Sequence, residues 1–218
     1  MDVIYAVVAF FVSGGIFMYP ILLVMAVGTA IGIERYFTLS RVTTKNRTMW
    51  TRIQPLLARR EFDQAREVTS KDDSTIAQLL NMGLERQGAV RRRDDIEVAM
   101  EECMLDILPQ LEKRTSYVGL AANIATLLGL LGTIMGLIQA FTAVANANPA
   151  EKADLLSASI SVAMNTTAFG LIVAIPLLVM HAVLAQKTGQ IVAALETASV
   201  KTLNAIQSTA KRQFQVAA

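Results

Sequence analysis

The sequence predicts an all-α integral membrane protein with three transmembrane helices, the second and third of them extended into the cytoplasm. Three observations carry that expectation. Of the 218 residues, 53% are hydrophobic and only 17% charged, a balance too apolar for an ordinary soluble domain and opposite to that of a disordered chain. Charge is absent from Val3 to Ile33, from Thr115 to Ala150 and from Leu155 to Gln186, and each window exceeds the roughly 20 residues that a spanning helix needs. Between and after these windows, apolar residues recur at helical rather than strand spacing.

The first window is longer than one crossing requires. Gly14-Gly15 and Pro20 divide it, so residues 1–15 are expected as a periplasmic or interfacial segment and 16–38 as the first transmembrane helix. The start, Met1-Asp2-Val3, has no Lys or Arg before Arg35, unlike the basic start of a cleaved secretory signal, so the first span is expected to be retained. It is apolar around almost its whole circumference, apart from Thr29 and the terminal Glu34-Arg35, as befits a helix facing lipid on the outside of a bundle.

A cytoplasmic helical region is expected over 39–115. Ile53, Leu56 and Leu57, then Ile76, Leu79, Leu80, Met82 and Leu84, lie at amphipathic spacing, with Ser70-Lys71-Asp72-Asp73-Ser74 and Gln87-Gly88 as connections and Ser74 as a helix N-cap. From Asp94 the stripe Ile96, Ala99, Met100, Cys103, Met104, Ile107, Leu111 runs into the second span. The expectation is one helix of roughly 50 residues, about 75 Å long, kinked at Pro109. The second span is placed at 116–144, a periplasmic loop at 145–156 around Asn146-Ala147-Asn148-Pro149, and the third span at 157–186. A cytoplasmic helix at 187–218 continues the third span through Ile191, Leu195, Ala198, Leu203 and Ile206.

Basic residues set the orientation. Arg35, Arg41, Lys45, Arg47 and Arg52 follow the first span, Lys113 and Arg114 precede the second, and Lys187 follows the third, against Lys152 alone on the other side. The amino end is therefore expected outside and the carboxyl end in the cytoplasm. A formal net charge of +2 gives no reason to expect nucleic acid. One cysteine and one histidine argue against a disulfide framework or a metal centre, and no nucleophile–base pair, metal cluster or phosphate loop suggests an enzyme. Arg91-Arg92-Arg93 before Asp94-Asp95 reads as a solvated helix start with acids in the first turn, Cys103 as a small packed hydrophobe, and His181 as a polar anchor near the cytoplasmic end of the third span.

The second and third spans carry small and polar residues that the first lacks. Gly129, Gly132 and Gly136 include a Gly-x-x-x-Gly pair, and Ser159, Ala163, Thr167, Gly170 and Ala174 share one face of the third span, so the two helices are expected to pack closely. Thr126 and Thr133 face the same way, and Asn165, Thr166 and Thr167 place three consecutive polar residues in the third span. Hydroxyls and amides can line an ion pathway but cannot carry its proton at neutral pH. Intramembrane carboxylates usually mark such routes, and this chain has none in the bilayer centre. If ions pass by protonation, another polypeptide must supply the acid.

These residues resemble those of the MotA/TolQ/ExbB proton channel family, and its ExbB/TolQ branch in particular. The resemblance rests on Leu128-Gly129-Leu130-Leu131-Gly132-Thr133-Ile134-Met135-Gly136 and Thr167-Ala168-Phe169-Gly170-Leu171-Ile172-Val173-Ala174-Ile175-Pro176. The cytoplasmic segments Arg60-Glu61-Phe62-Asp63-Gln64-Ala65 and Gly83-Leu84-Glu85-Arg86 are similar too. It implies an inner-membrane homopentamer whose second and third spans surround an ExbD- or TolR-like single-span partner with a membrane aspartate. It also implies proton-motive force converted to work through a TonB- or TolA-like protein, with membrane lipid around the assembly and no cofactor. Thr133 and Thr167 match the family's pore-facing threonines, while Asn165, Thr166 and Thr126 are added as pathway residues from the reading of the spans. Gly129, Gly132, Gly136 and Gly170 are the helix-packing positions. One departure stands out: family members of this branch commonly carry glutamate five positions before the third-span threonine, and here that position is Val162. A passive membrane scaffold without ion flow is the alternative expectation. The flagellar-stator branch, with four crossings, fits less well.

Overall fold

A computed structural model describes residues 5, 10–86, 93–145 and 147–216. Among the described residues the regular elements are helices: α1 (Met18–Arg59), α2 (Phe62–Ser70), α3 (Thr75–Arg86), α4 (Arg93–Glu112), α5 (Thr115–Ala145) and α6 (Lys152–Val216). Three helical stretches, Met18–Arg59, Asp94–Ala145 and Lys152–Ser208, are long and apolar enough to cross a membrane. The chain is an all-α membrane protein. In each stretch's most apolar window at most 28% is buried within the chain, so lipid or other polypeptides must cover the rest. The expected connection at Gln87-Gly88, Arg91-Arg92 of the basic run, Asn146 of the loop, and residues 1–4 and 6–9 of the amino-terminal segment lie outside the described residues.

The helix of the first span does not stop near residue 38 but continues to Arg59. Pro20 sits in its first turn, where a missing N–H costs nothing. Its end is a Schellman motif: Arg60 N–H donates to the Leu57 carbonyl (3.2 Å) and Glu61 N–H to the Leu56 carbonyl (3.0 Å), with Arg60 at φ 64°.

The expected single helix from Asp94 into the second span is interrupted, and not at Pro109. Pro109 lies inside α4, and Lys113 N–H still donates to its carbonyl (3.0 Å). The ladder stops at Lys113-Arg114, where Arg114 takes φ 64°, a conformation that a right-handed helix cannot contain. Tyr117 N–H then bonds the Arg114 carbonyl (3.2 Å) as α5 begins. Proline announces a lost donor in the sequence; an arginine in the left-handed region announces nothing.

The chain forms two compact units. One gathers the chain up to Arg35 together with Arg114–Val183, and the other Tyr36–Lys113 with the chain from Leu184 onward. In the second, Ile53, Leu57, Leu79, Leu80, Met100 and Leu195 are buried, as their helical spacing predicts. Gly83 on α3 leaves room for the Met100 thioether, 2.6 Å from where a Cβ would stand. Ser74 caps α3 by accepting the Ala77 N–H (3.4 Å), and Asp72 accepts the Ser74 N–H (2.8 Å). Hydrogen bonding from Ser74 holds the Asp72 carboxyl below the usual aspartate range, against an opposing cost of burial, with Lys45 and Arg52 adding to the effect. Asn46, buried on α1, bonds the Thr75 hydroxyl (2.8 Å) and accepts the Ile76 N–H (3.3 Å), which fixes where α3 starts. Lys187 donates to Ser40 Oγ (2.6 Å) and stands 3.6 Å over the Tyr36 ring, tying α6 to α1.

In the first unit, α1 presents Gly28 to α5 and α6. A Cβ there would lie 3.0 Å from Ala121 Cβ and 3.1 Å from Leu177 Cδ1. Gly119 likewise admits the His181 ring, with Cδ2 3.1 Å from the Cβ position, so His181 packs on a neighbouring backbone. Most apolar side chains on the other faces are exposed, as on a lipid-facing surface; Leu23, Leu127 and Ile172 are examples.

Candidate functional site

Two helices with little water-driven reason to associate must be held by close packing inside a membrane, and α5 and α6 achieve this with glycine. A Cβ on Gly129 would stand 3.3 Å from the Cα atoms of both Gly170 and Thr167. One on Gly170 would stand 2.8 Å from the Ala125 carbonyl oxygen and 3.0 Å from Gly129 Cα. Gly136 receives Ala163, whose Cβ lies 2.6 Å from the Cβ position, and Gly132 receives the Thr166 methyl group. All four glycines of the expected packing set are buried in this seam.

The seam brings two hydroxyls together. Thr133 Oγ1 and Thr167 Oγ1, on facing helices, are joined by a short hydrogen bond, and both lie within reach of the Gly129 carbonyl, Thr167 at 2.8 Å and Thr133 at 3.2 Å. With the Ala163 carbonyl 3.4 Å from Thr167 Oγ1, four hydrogen-bonded contacts compete for two protons, so the hydroxyl oxygens keep lone pairs free to accept. The pair can therefore donate to a carboxylate or accept from a carboxylic acid by rotating its O–H groups. Both threonines are half-buried, packed at the seam yet open on one side.

The other expected pathway residues do not join this pair. Thr126 is exposed and donates to its own helix at the Ala122 carbonyl (3.1 Å). Thr166 is 1% exposed and donates to the Gly14 carbonyl (2.5 Å) and the Val162 carbonyl (3.0 Å). Asn165 Nδ2 donates to Ser13 Oγ (3.0 Å). Residues 10–15, read from the sequence as an interfacial lead-in, thus supply the partners of two of the three consecutive polar residues of the third span. Sequence reasoning missed Ser13 and Gly14 as contact residues. Gly14-Gly15 was the available signal, since Gly15 takes φ 74° and turns the chain before α1.

Cys103 is half-buried on α4 as a free thiol.

Comparison with known proteins bears on this seam. The sequence model of the MotA/TolQ/ExbB proton channel family matches residues 71–197, more than half of the chain and the whole of the α5/α6 pair within the unit described above up to Val183. The chain is 26% identical over 191 residues to the putative biopolymer transport protein ExbB-like 3 of Synechocystis sp., covering 82% of this chain and 90% of that one. It is 31% identical over 185 residues to a putative biopolymer transport protein ExbB homolog of Methanothermobacter thermautotrophicus, covering 80% of this chain but 61% of that longer protein. Over a shorter stretch of 53 residues, 24% of this chain and 23% of the relative, it is 47% identical to biopolymer transport protein exbB1 of Vibrio cholerae. With a glycine-packed pair of spans, a threonine pair between them and a family match over both helices, the chain belongs to the MotA/TolQ/ExbB proton channel family, on its ExbB branch.

Proposed function

We propose that this chain is the channel and motor subunit of an inner-membrane complex similar to ExbB–ExbD or TolQ–TolR. In that reading, a homopentamer with its amino end in the periplasm and residues 39–115 and 187–218 in the cytoplasm encloses a single-span partner bearing a membrane aspartate. Proton-motive force is converted into work that a TonB- or TolA-like protein carries to the outer membrane. The observation that carries the proposal is the half-buried Thr133–Thr167 pair in spans that contain no carboxylate of their own.

The partner's aspartate would alternate between charged and neutral forms. A carboxylate needs donors, and its protonated form needs an acceptor; the threonine pair offers either by hydroxyl rotation. Protonation would weaken the aspartate's hold on its polar neighbour and release the central helix to move against the ring. One charge crossing 100 mV yields roughly 2.3 kcal/mol, whereas inverting a 1:99 equilibrium takes about 5.5 kcal/mol. Several ions per decisive step are therefore required.

Thr133→Ala and Thr167→Ala test the assignment, with proton flux measured in proteoliposomes holding the partner and a proton gradient. A hydrogen bond to a charged group is worth about 1.5–3 kcal/mol, so flux should fall by about one to two orders of magnitude. A hydrogen bond between membrane helices averages about 0.6 kcal/mol, so assembly should survive. Thr→Ser at either position should retain flux. Normal flux in both alanine variants would overturn the role given to the pair, and external work that persists after complete collapse of the gradient would favour the scaffold reading.

A further inference from the structure

We infer that Asn165 and Thr166 are positioning residues. They form the receiving site for the chain's own residues 10–15, and this docking holds α6 at the rotation at which Thr167 meets Thr133; its significance for ion flow rests on the function proposed above. Val162, Asn165, Thr166 and Phe169 stand at i, i+3, i+4 and i+7, one face of α6. The amino-terminal segment occupies that face along its length. A Cβ on Gly15 would lie 3.2 Å from Val162 Cγ1. Asn165 Nδ2 donates to Ser13 Oγ (3.0 Å), and Thr166 Oγ1 donates to the Gly14 carbonyl (2.5 Å). The Phe169 ring meets Phe10 and Phe11 edge-on, with centroids 6.4 and 5.8 Å away.

Successive residues on a helix are about 100° apart. Thr166 and Thr167 therefore face different neighbours, and whatever fixes one sets the direction of the other. Thr166 is held on both sides, by the Gly14 carbonyl and by the space that Gly132 leaves for its methyl group. A backbone carbonyl at membrane depth is costly to leave unpaired, and the Thr166 hydroxyl serves the one at the turn into α1. Val162 is the apolar floor under that turn. A longer, charged side chain there would crowd the turn at Gly15, so glutamate at this position should weaken the docking.

The test uses the full chain assembled with its partner, in a Cys103→Ser background. Val162→Cys, on the face that the segment covers, reports docking by maleimide labelling, and Ser13→Cys with Asn165→Cys reports it by disulfide formation under copper–phenanthroline. The disulfide is expected to form, and flux in the oxidised complex is expected to match flux in the same double variant after reduction, because the docked segment is static. Thr166→Val is expected to speed Val162→Cys labelling by about tenfold, the factor for one ordinary hydrogen bond, and to lower flux per assembled complex without changing the amount of complex. Thr166→Ser should restore both, and Val162→Glu should lower flux as Thr166→Val does. Unchanged Val162→Cys labelling in Thr166→Val would overturn the inference, whether flux fell or not. So would flux lost on cross-linking and regained on reduction, because the segment would then be a moving gate. Labelling and cross-linking as expected in a complex without any gradient-driven flux would support the docking and overturn the functional reading instead.

Discussion

Gly170 and Gly189 sit on the same helix and should respond oppositely to one added methyl group. At Gly170 the methyl would meet the Ala125 carbonyl oxygen at 2.8 Å and Gly129 Cα at 3.0 Å, both backbone atoms that cannot step aside. Gly170→Ala should therefore cost about 1–3 kcal/mol as overpacking. Gly189 has no atom within 4 Å of the Cβ position, so Gly189→Ala should gain about 0.8–1 kcal/mol from helix propensity alone. Thermal unfolding midpoints of the two variants, recorded in the same detergent, check the pair; a fall for Gly189→Ala or a rise for Gly170→Ala would contradict the seam as described. The sequence already sets Gly170 apart, on the small-residue face of the third span, and the structure adds the backbone atoms that stand opposite it. Thr166 and Thr167 diverge in the same way. Both are threonines in one apolar window, yet one is spent on the Gly14 carbonyl and the other faces Thr133.

Helix ends tell a different story from helix faces. α1 stops at a Schellman turn whose left-handed position is filled by Arg60 rather than glycine, a choice that costs roughly 1–2 kcal/mol of backbone energy. Arg60→Gly should recover about 1 kcal/mol after the extra chain entropy of glycine is deducted. Chemical denaturation of the variant should show a higher midpoint with an unchanged slope, and a lower midpoint would mean that the Arg60 side chain contributes more than its backbone loses. Arg114 shares the left-handed conformation, but there the guanidinium also reaches Glu34 Oε2 (3.1 Å), so replacing it would remove two things at once. The helical stripes from Ile53 to Leu203 were legible in the sequence because burial follows their period. The two interruptions were not, since neither carries the glycine that usually signals one.

For the whole molecule, the decisive feature is what the spans lack. With no Asp, Glu, Lys, Arg or His between Thr115 and Ala150 and only His181 of these between Leu155 and Gln186, this polypeptide alone should be a poor proton conductor. Reconstituted without a partner it should hold a proton gradient across liposomes, and conduction should appear when a single-span partner is added and vanish when the partner's membrane aspartate becomes asparagine. Equal leak with and without that partner would sink the division of labour proposed here. The sequence by itself determined the number of spans, the helical class and the family, because charge depletion over a bilayer's thickness and paired glycine and threonine motifs are properties of composition and spacing. The tertiary structure alone decided which hydroxyls meet, where the long helices break and what covers Val162. Those outcomes depend on the rotation of one helix against another and on a left-handed residue at a turn, and neither is written in the chemistry of any single side chain.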